Sequence, residues 1–342
     1  MASKPGRYLD VEPGRRIALP EASQVRLRFA IRPYLSVLTT VLEAFGNYDC
    51  GAPAAWLEEV RGALAGHDLA PLVDVMRVPP ERLLPDFVIP MPTGPLTTLA
   101  DDVALLAATA PERVHGEIEA EYGGAPPAVF AAFLRRPERE VARLAAAAQT
   151  VWDAVFAHRW DEMRAILERD VVAQLYILTV EGIEAMLARI HHRIHFEDDS
   201  QIAARLFGEG RALGERTLWL EPMICGPDAL RHQLASPECA EISYAARGVE
   251  QFWGVPEPEA GAPLRALLGA PRARVAAAIH EPDTTTHLAG ALGLSKATVN
   301  YHLGALVEAG IADRARFGRS VFYMLTARGR TLVHEFGDGP SG

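Results

Sequence analysis

Lysine is nearly absent from this 342-residue chain. Lys4 and Lys296 are the only two, and every other cation is arginine. Cysteine is scarce as well. Cys50, Cys225 and Cys239 are far apart and odd in number, which excludes a disulfide framework and any recognised zinc-ligand spacing. Reduced thiols in a cytoplasmic protein are the expectation. No apolar run is long enough to span a bilayer, and no charged-then-apolar leader opens the chain. The motifs of common hydrolases and nucleotide enzymes are missing too. There is no Gly-x-Ser-x-Gly elbow, no phosphate-binding glycine loop and no His-Glu-x-x-His. Acidic pairs such as Glu138 and Glu140, or Asp161 and Glu162, read as helix-surface charge. No catalytic residue and no cofactor are expected, and an enzyme carrying a regulatory tail finds no residues to support it.

What is present suits a globular protein: 49% hydrophobic and 23% charged residues. The length exceeds one ordinary core, so two or more domains are expected. The formal net charge of −10 is unevenly spread. Residues 264–342 carry nine Arg or Lys against six Asp or Glu, whereas the remainder carries 25 basic against 38 acidic residues. The basic surplus lies in one segment, the pattern of a protein that meets phosphate with one part only.

That segment contains the most informative stretch, Asp283 to Thr326. Thr284 or Thr285 can cap a first helix. Leu288, Ala289 and Leu292 form its apolar face, and Gly293 ends it. Ser295 caps a second helix with Thr298 in its third position. Val299, Leu303 and Leu306 point inward at i, i+4 and i+7. Gly310 stops that helix, and two runs of strand formers around Phe317-Gly318-Arg319 predict a hairpin. Helix, glycine turn, helix and hairpin make the winged helix-turn-helix plan.

Leu288-Ala289, Leu294-Ser295, Val299, His302-Leu303, Leu306 and Ala309-Gly310-Ile311 resemble the recognition core of ArsR-type winged-helix transcriptional regulators. The resemblance covers the last quarter of the chain and implies binding to double-stranded DNA. Ser295, Lys296, Thr298, Asn300 and Tyr301 lie on the half of the second helix that reaches base edges in this motif. Asn300 suits adenine, Lys296 guanine or phosphate, and Tyr301 phosphate or sugar. Thr284 opens the helix before it. His302 faces either the wing and a phosphate or the packed interior. Arg314, Arg316 and Arg319 put three cations on the hairpin, suited to backbone or minor-groove contact. The metal-sensing members of this family carry a cysteine pair in the DNA-reading helices or acidic and His ligands on the last helix. Residues 288–302 have no cysteine, and only His334 and Glu335 follow the wing, so no metal is expected.

The fold class expected is mostly α with small β: a helix-rich α+β N-terminal domain followed by a C-terminal winged helix-turn-helix. Residues 1–23, polar with Pro5, Gly6, Pro13, Gly14 and Pro20, read as a mobile N-terminal arm. Residues 24–253 read as the N-terminal domain, 254–263 (GVPEPEAGAP) as a stiff linker, and 264–342 as the DNA-binding domain. Strands are expected at Gln24–Ile31, Arg193–Glu197, Thr217–Ile224 and Glu241–Tyr244, with helices between the first two. Tyr244-Ala245-Ala246-Arg247-Gly248 with Trp253 resembles the Tyr-Pro-Ala-Arg-Gly…Trp signature that ends a long N-terminal domain of unknown function in some of these regulators. Here Ala245 replaces the proline. This second resemblance spans about residues 20–255.

Two ligand sites can be weighed within the N-terminal domain. His191, His192, His195, Glu197, Asp198 and Asp199 are rich in ligand types, but neither helix nor strand spacing closes a metal site without a distant partner. Trp152, Phe156, Trp160 and Tyr176 lie on helices able to flank a cavity for a small apolar effector. The expectation is therefore a homodimeric DNA-binding regulator, most simply a repressor on a palindromic operator. The alternative is an interaction module whose N-terminal domain docks a protein partner, with the winged helix as a secondary anchor.

Overall fold

A computed structural model describes residues 7–12, 15–19, 26–46, 48–78, 84–191, 194–197, 211–212, 217–233, 239–253, 261–280, 282–317 and 320–337. It is helix-rich with three small sheets. Among the described residues no helix is long and apolar enough to cross a membrane. The chain divides into two compact units, residues 1–167 with 181–249, and residues 168–180 with 250–342.

The first unit opens with strands β1 (Arg7–Glu12), β2 (Arg15–Leu19) and β3 (Arg26–Phe29). Helices α1 (Pro33–Phe45), α2 (Ala54–Ala63), α3 (Ala70–Met76), α4 (Leu99–Ala107), α5 (Pro111–Tyr122), α6 (Phe130–Arg135), α7 (Pro137–Val151), α8 (Trp160–Glu181) and α9 (Ile183–Ile190) follow. Strands β4 (His195–Glu197), β5 (Arg211–Ala212), β6 (Thr217–Met223), β7 (Leu230–Gln233) and β8 (Cys239–Ala245) close the unit. Proline at the first position of α1, α5 and α7 explains where each starts, since a helix needs no N–H there. At α4 the Thr98 hydroxyl accepts from Asp101 N while the Asp101 carboxylate accepts from Thr98 N, a reciprocal cap.

The arm expected over residues 1–23 is corrected in part. β1 and β2 pair antiparallel with each other, and the sheet order is β4-β1-β2-β5. The alternation Tyr8, Asp10, Glu12 against Leu9, Val11, and Ile17, Leu19 against Arg16, Ala18, is a strand pattern on either side of Pro13-Gly14.

The second sheet of this unit has the order β3-β6-β8-β7, parallel except for the last pair. Paired residues share a face. Leu27, Phe29, Leu218, Leu220, Ala240, Ile242, Tyr244 and Leu230 therefore form one side, apolar but for His232. Trp219, Glu221, Glu241, Ser243 and Arg231 lie on the other. Glu221, Glu241 and Ser243 are nevertheless buried. A buried parallel strand is ordinarily apolar on both faces, so this polar face is the unusual feature of the unit.

The second unit contains α10 (Val249–Phe252), α11 (Ala262–Leu268), α12 (Ala270–Ala278), β9 (Asp283–Thr284), α13 (Thr285–Ala291), α14 (Lys296–Glu308), β10 (Ala312–Phe317), β11 (Ser320–Leu325) and α15 (Ala327–Gly337). Residues 254–260 of the expected linker lie outside the described residues. Its core joins Val275, Ile279, Leu288, Val299, Leu303, Leu306, Ala312 and Leu325. Residues 168–180 of α8 belong to this unit by contact, although composition assigns them to the N-terminal domain. Val172 packs with Phe322 and Met324, and Tyr176 lies against them. The Tyr176 hydroxyl donates to Leu325 O at 3.1 Å and accepts from Arg330. Arg169 Nε is 3.6 Å from Asp283 Oδ1.

Candidate nucleic-acid interface

The geometry of residues 283–325 follows from its local sequence. Thr284 caps α13, its hydroxyl accepting from His287 N at 3.3 Å. The same turn is held by His287 Nδ1 against Asp283 Oδ2 at 2.6 Å. Gly293 adopts φ 64°, the left-handed conformation that closes a helix and admits glycine without strain. Ser295 caps α14, accepting from Thr298 N at 3.1 Å, and its hydroxyl lies 2.8 Å from Thr298 Oγ1. These caps consume Ser295 and Thr298 in local hydrogen bonds, leaving each with residual bonding capacity only.

Val299, Leu303 and Leu306 are fully buried, so the opposite side of α14 must face outward. Lys296 and Asn300 are exposed there, and Tyr301 is 68% exposed. An exposed tyrosine of that degree beside a lysine and an asparagine is a polar, hydrogen-bonding surface rather than a core surface. Asn300 Oδ1 accepts from Thr285 Oγ1 at 2.9 Å, a tie between the two helices that residue types alone did not signal.

His302 is half-buried, its ring meeting Tyr301 edge-on at 5.3 Å between centroids. Burial, and then the nearby Arg272 guanidinium, push the imidazole below its ordinary value. Its Nδ1 is buried with no hydrogen-bond partner. Arg272 on α12 is the neighbour that the sequence reading missed, because 30 residues separate the two.

The hairpin pairs Ala312 with Leu325, Arg314 with Tyr323 and Arg316 with Val321. Arg314 and Arg316 are both exposed and two residues apart on one strand, so they project to the same side. Arg319, expected as a third cation, lies outside the described residues.

The proposed effector residues separate. Trp152, Phe156 and Trp160 come together in the first unit. The Trp152 ring is stacked 6.2 Å from Phe156 and meets Trp160 edge-on at 5.2 Å. A π-helical turn over Trp152–Phe156 spaces them, with Ala157 N donating to Trp152 O at 2.8 Å. Tyr176 falls in the second unit, where its hydroxyl and ring are engaged by Arg330, Leu325, Phe322 and Met324. Of the histidine-rich stretch, His191 is buried, while His192, Asp198 and Asp199 lie outside the described residues. Among the described residues no cluster of three His, Cys, Asp or Glu is arranged to hold a metal. No protein-family model and no curated protein matches this chain.

Proposed function

We propose that the chain is a cytoplasmic, DNA-binding transcriptional regulator of the winged helix-turn-helix type. In this reading α13 and α14 are the helix-turn-helix pair, α14 enters the major groove, and the β10–β11 hairpin is the wing. The observation that carries it is the pairing of an exposed polar N-terminal half of α14 (Lys296, Asn300, Tyr301) with exposed Arg314 and Arg316 in one compact unit. Base-edge donors on a capped helix and guanidiniums on an adjacent hairpin are the two parts of direct readout plus phosphate positioning. The basic surplus of residues 264–342 within an acidic chain supports the same division of labour.

A palindromic site needs two recognition helices about 34–36 Å apart, and the chain carries one. The operator-bound species is accordingly a homodimer, acting as a repressor. Trp152 and Trp160, half-exposed and backed by the buried Phe156, are where a small organic effector would bind. Selection of bound sequences from a random duplex library, followed by binding at several salt concentrations, tests the reading. Enrichment of a two-fold symmetric site with a steep salt dependence supports it, and absence of any enriched site contradicts it.

A further inference from the structure

The polar face of the β3-β6-β8-β7 sheet belongs to the first unit and is not used in the proposed reading of DNA. Arg32, which follows β3, is its centre and is 1% exposed. Its Nε donates to Asp102 Oδ1 on α4 at 3.1 Å, and its Nη2 to Pro90 O at 2.6 Å. Its Nη1 is 3.4 Å from both oxygens of Glu221 on β6 and 3.8 Å from Glu241 Oε2 on β8. Asp102 and Glu221 are fully buried and Glu241 is 2% exposed. Thr97 Oγ1 adds a donor to Asp102, and Ser243 Oγ one to Glu241 Oε1. Glu241 Oε2 is buried and has no hydrogen-bond partner. The remaining groups facing the cluster are Arg231, opposite Ser243 on β7, and Tyr34 on α1, whose hydroxyl donates to Val88 O.

The charges do not balance. Asp102, Glu221 and Glu241 are three carboxyls, and Arg32 and Arg231 are two guanidiniums. One uncompensated negative charge in a buried site is strongly unfavourable. A cation cannot supply the balance at the centre of the carboxyls, because the Arg32 guanidinium already occupies that place.

We infer that the cluster is a proton-binding site, in which the Glu221–Glu241 pair holds one proton between two carboxyls that share Arg32 Nη1. Burial raises Asp102 too, but Arg32 at 3.1 Å and the Thr97 donor oppose it, so the proton is placed on the glutamate pair. Two buried carboxylates converging on one nitrogen repel each other, and a single proton turns one of them into a donor. Burial, then the charge of Glu241, hold Glu221 well above the ordinary carboxylate range; burial raises Glu241 too, against the pull of Arg32. Because the proton is bound in the fold and not in the unfolded chain, the site favours the fold at low pH and loses that advantage as pH rises.

Infrared spectroscopy of the full chain at neutral pH tests the site. The spectrum is taken in the Glu43→Gln background, because Glu43 is itself partly protonated at neutral pH. The expected result there is a protonated-carboxyl C=O stretch that disappears on adding Glu221→Gln or Glu241→Gln. Urea unfolding supplies the second readout. Either single glutamine variant should keep or raise the midpoint at neutral pH, since a neutral isostere replaces a group that is already neutral, whereas Asp102→Asn should lower it. A spectrum with no such band, or single glutamine variants as destabilised as Asp102→Asn, would mean that both glutamates are ionised and would overturn the inference. If a variant at Glu221 or Glu241 does not fold, the band of Glu43→Gln decides alone. It should persist to a pH above the ordinary carboxylate range, and its absence at neutral pH would overturn the site.

Discussion

Thr285 Oγ1 donates to Asn300 Oδ1 at 2.9 Å, joining α13 to the exposed face of α14. The bond occupies one lone pair of the amide oxygen and leaves the two N–H donors of Asn300 for another partner. In the proposed interface Asn300 then approaches a base edge with its orientation already fixed, which lowers the ordering cost of binding. Asn300→Ala should lose about 1–3 kcal/mol of specific affinity and relax one operator position. Thr285→Val should relax the same position by less, with non-specific affinity retained. Equal loss on all sequences in both variants would remove Asn300 from base readout.

The hairpin should behave differently. Replacing Arg314 and Arg316 together by Ala should weaken binding to every sequence and flatten the slope of log affinity against log salt by about one unit per lost phosphate contact. An unaltered slope would show that the hairpin does not touch the backbone.

Glu43 gives a pH dependence with a stated sign. It is 6% exposed and accepts from Gly226 N at 3.1 Å. Burial, opposed by backbone N–H donors from Gly226 and Ala52, raises its carboxyl from 4.5 to about 7. A raised acid binds its proton more tightly in the fold. Stability is therefore greatest below the unfolded value and falls as pH climbs through the folded one, by about 3 kcal/mol in total. Glu43→Gln should flatten that fall in urea unfolding measured from acid to neutral pH. A wild-type curve that rises over the same range would contradict the assignment.

Gly226 itself is fixed by close approach. A Cβ there would sit 2.1 Å from Cys50 O, and the neighbouring Asp228 N donates to that same carbonyl at 2.9 Å. Gly226→Ala should destabilise the chain by about 2 kcal/mol or more, read as a lowered thermal midpoint. A neutral effect would mean that the loop over Cys50 moves freely.

What was legible in the sequence was what is encoded locally. Thr284, Gly293, Ser295 and the Val299, Leu303, Leu306 spacing each specify backbone within one or two turns, and α13 and α14 lie where those signals put them. The pairing of Arg32 with Glu221 spans 189 residues, and no local pattern announces it. A Glu in a run such as Thr217–Met223 looks like the wet side of a half-exposed strand, yet here both faces are covered. Residues 168–180 read as N-terminal by continuity along the chain, whereas Val172 and Tyr176 make their contacts within the second unit. Between Tyr8 and Leu19 the alternation is short, and the surrounding proline and glycine residues read as an arm.

The proposed function rests most heavily on α14 reading DNA. Fluorescence anisotropy of the full chain on the duplex from its own upstream region, at 50 and 200 mM salt and with a scrambled duplex as competitor, tests this most directly. The expected result is saturable binding by a dimer that the scrambled duplex competes poorly, falling steeply between the two salt concentrations. Binding that is absent at both, or equal on both duplexes and insensitive to Asn300→Ala, would contradict it.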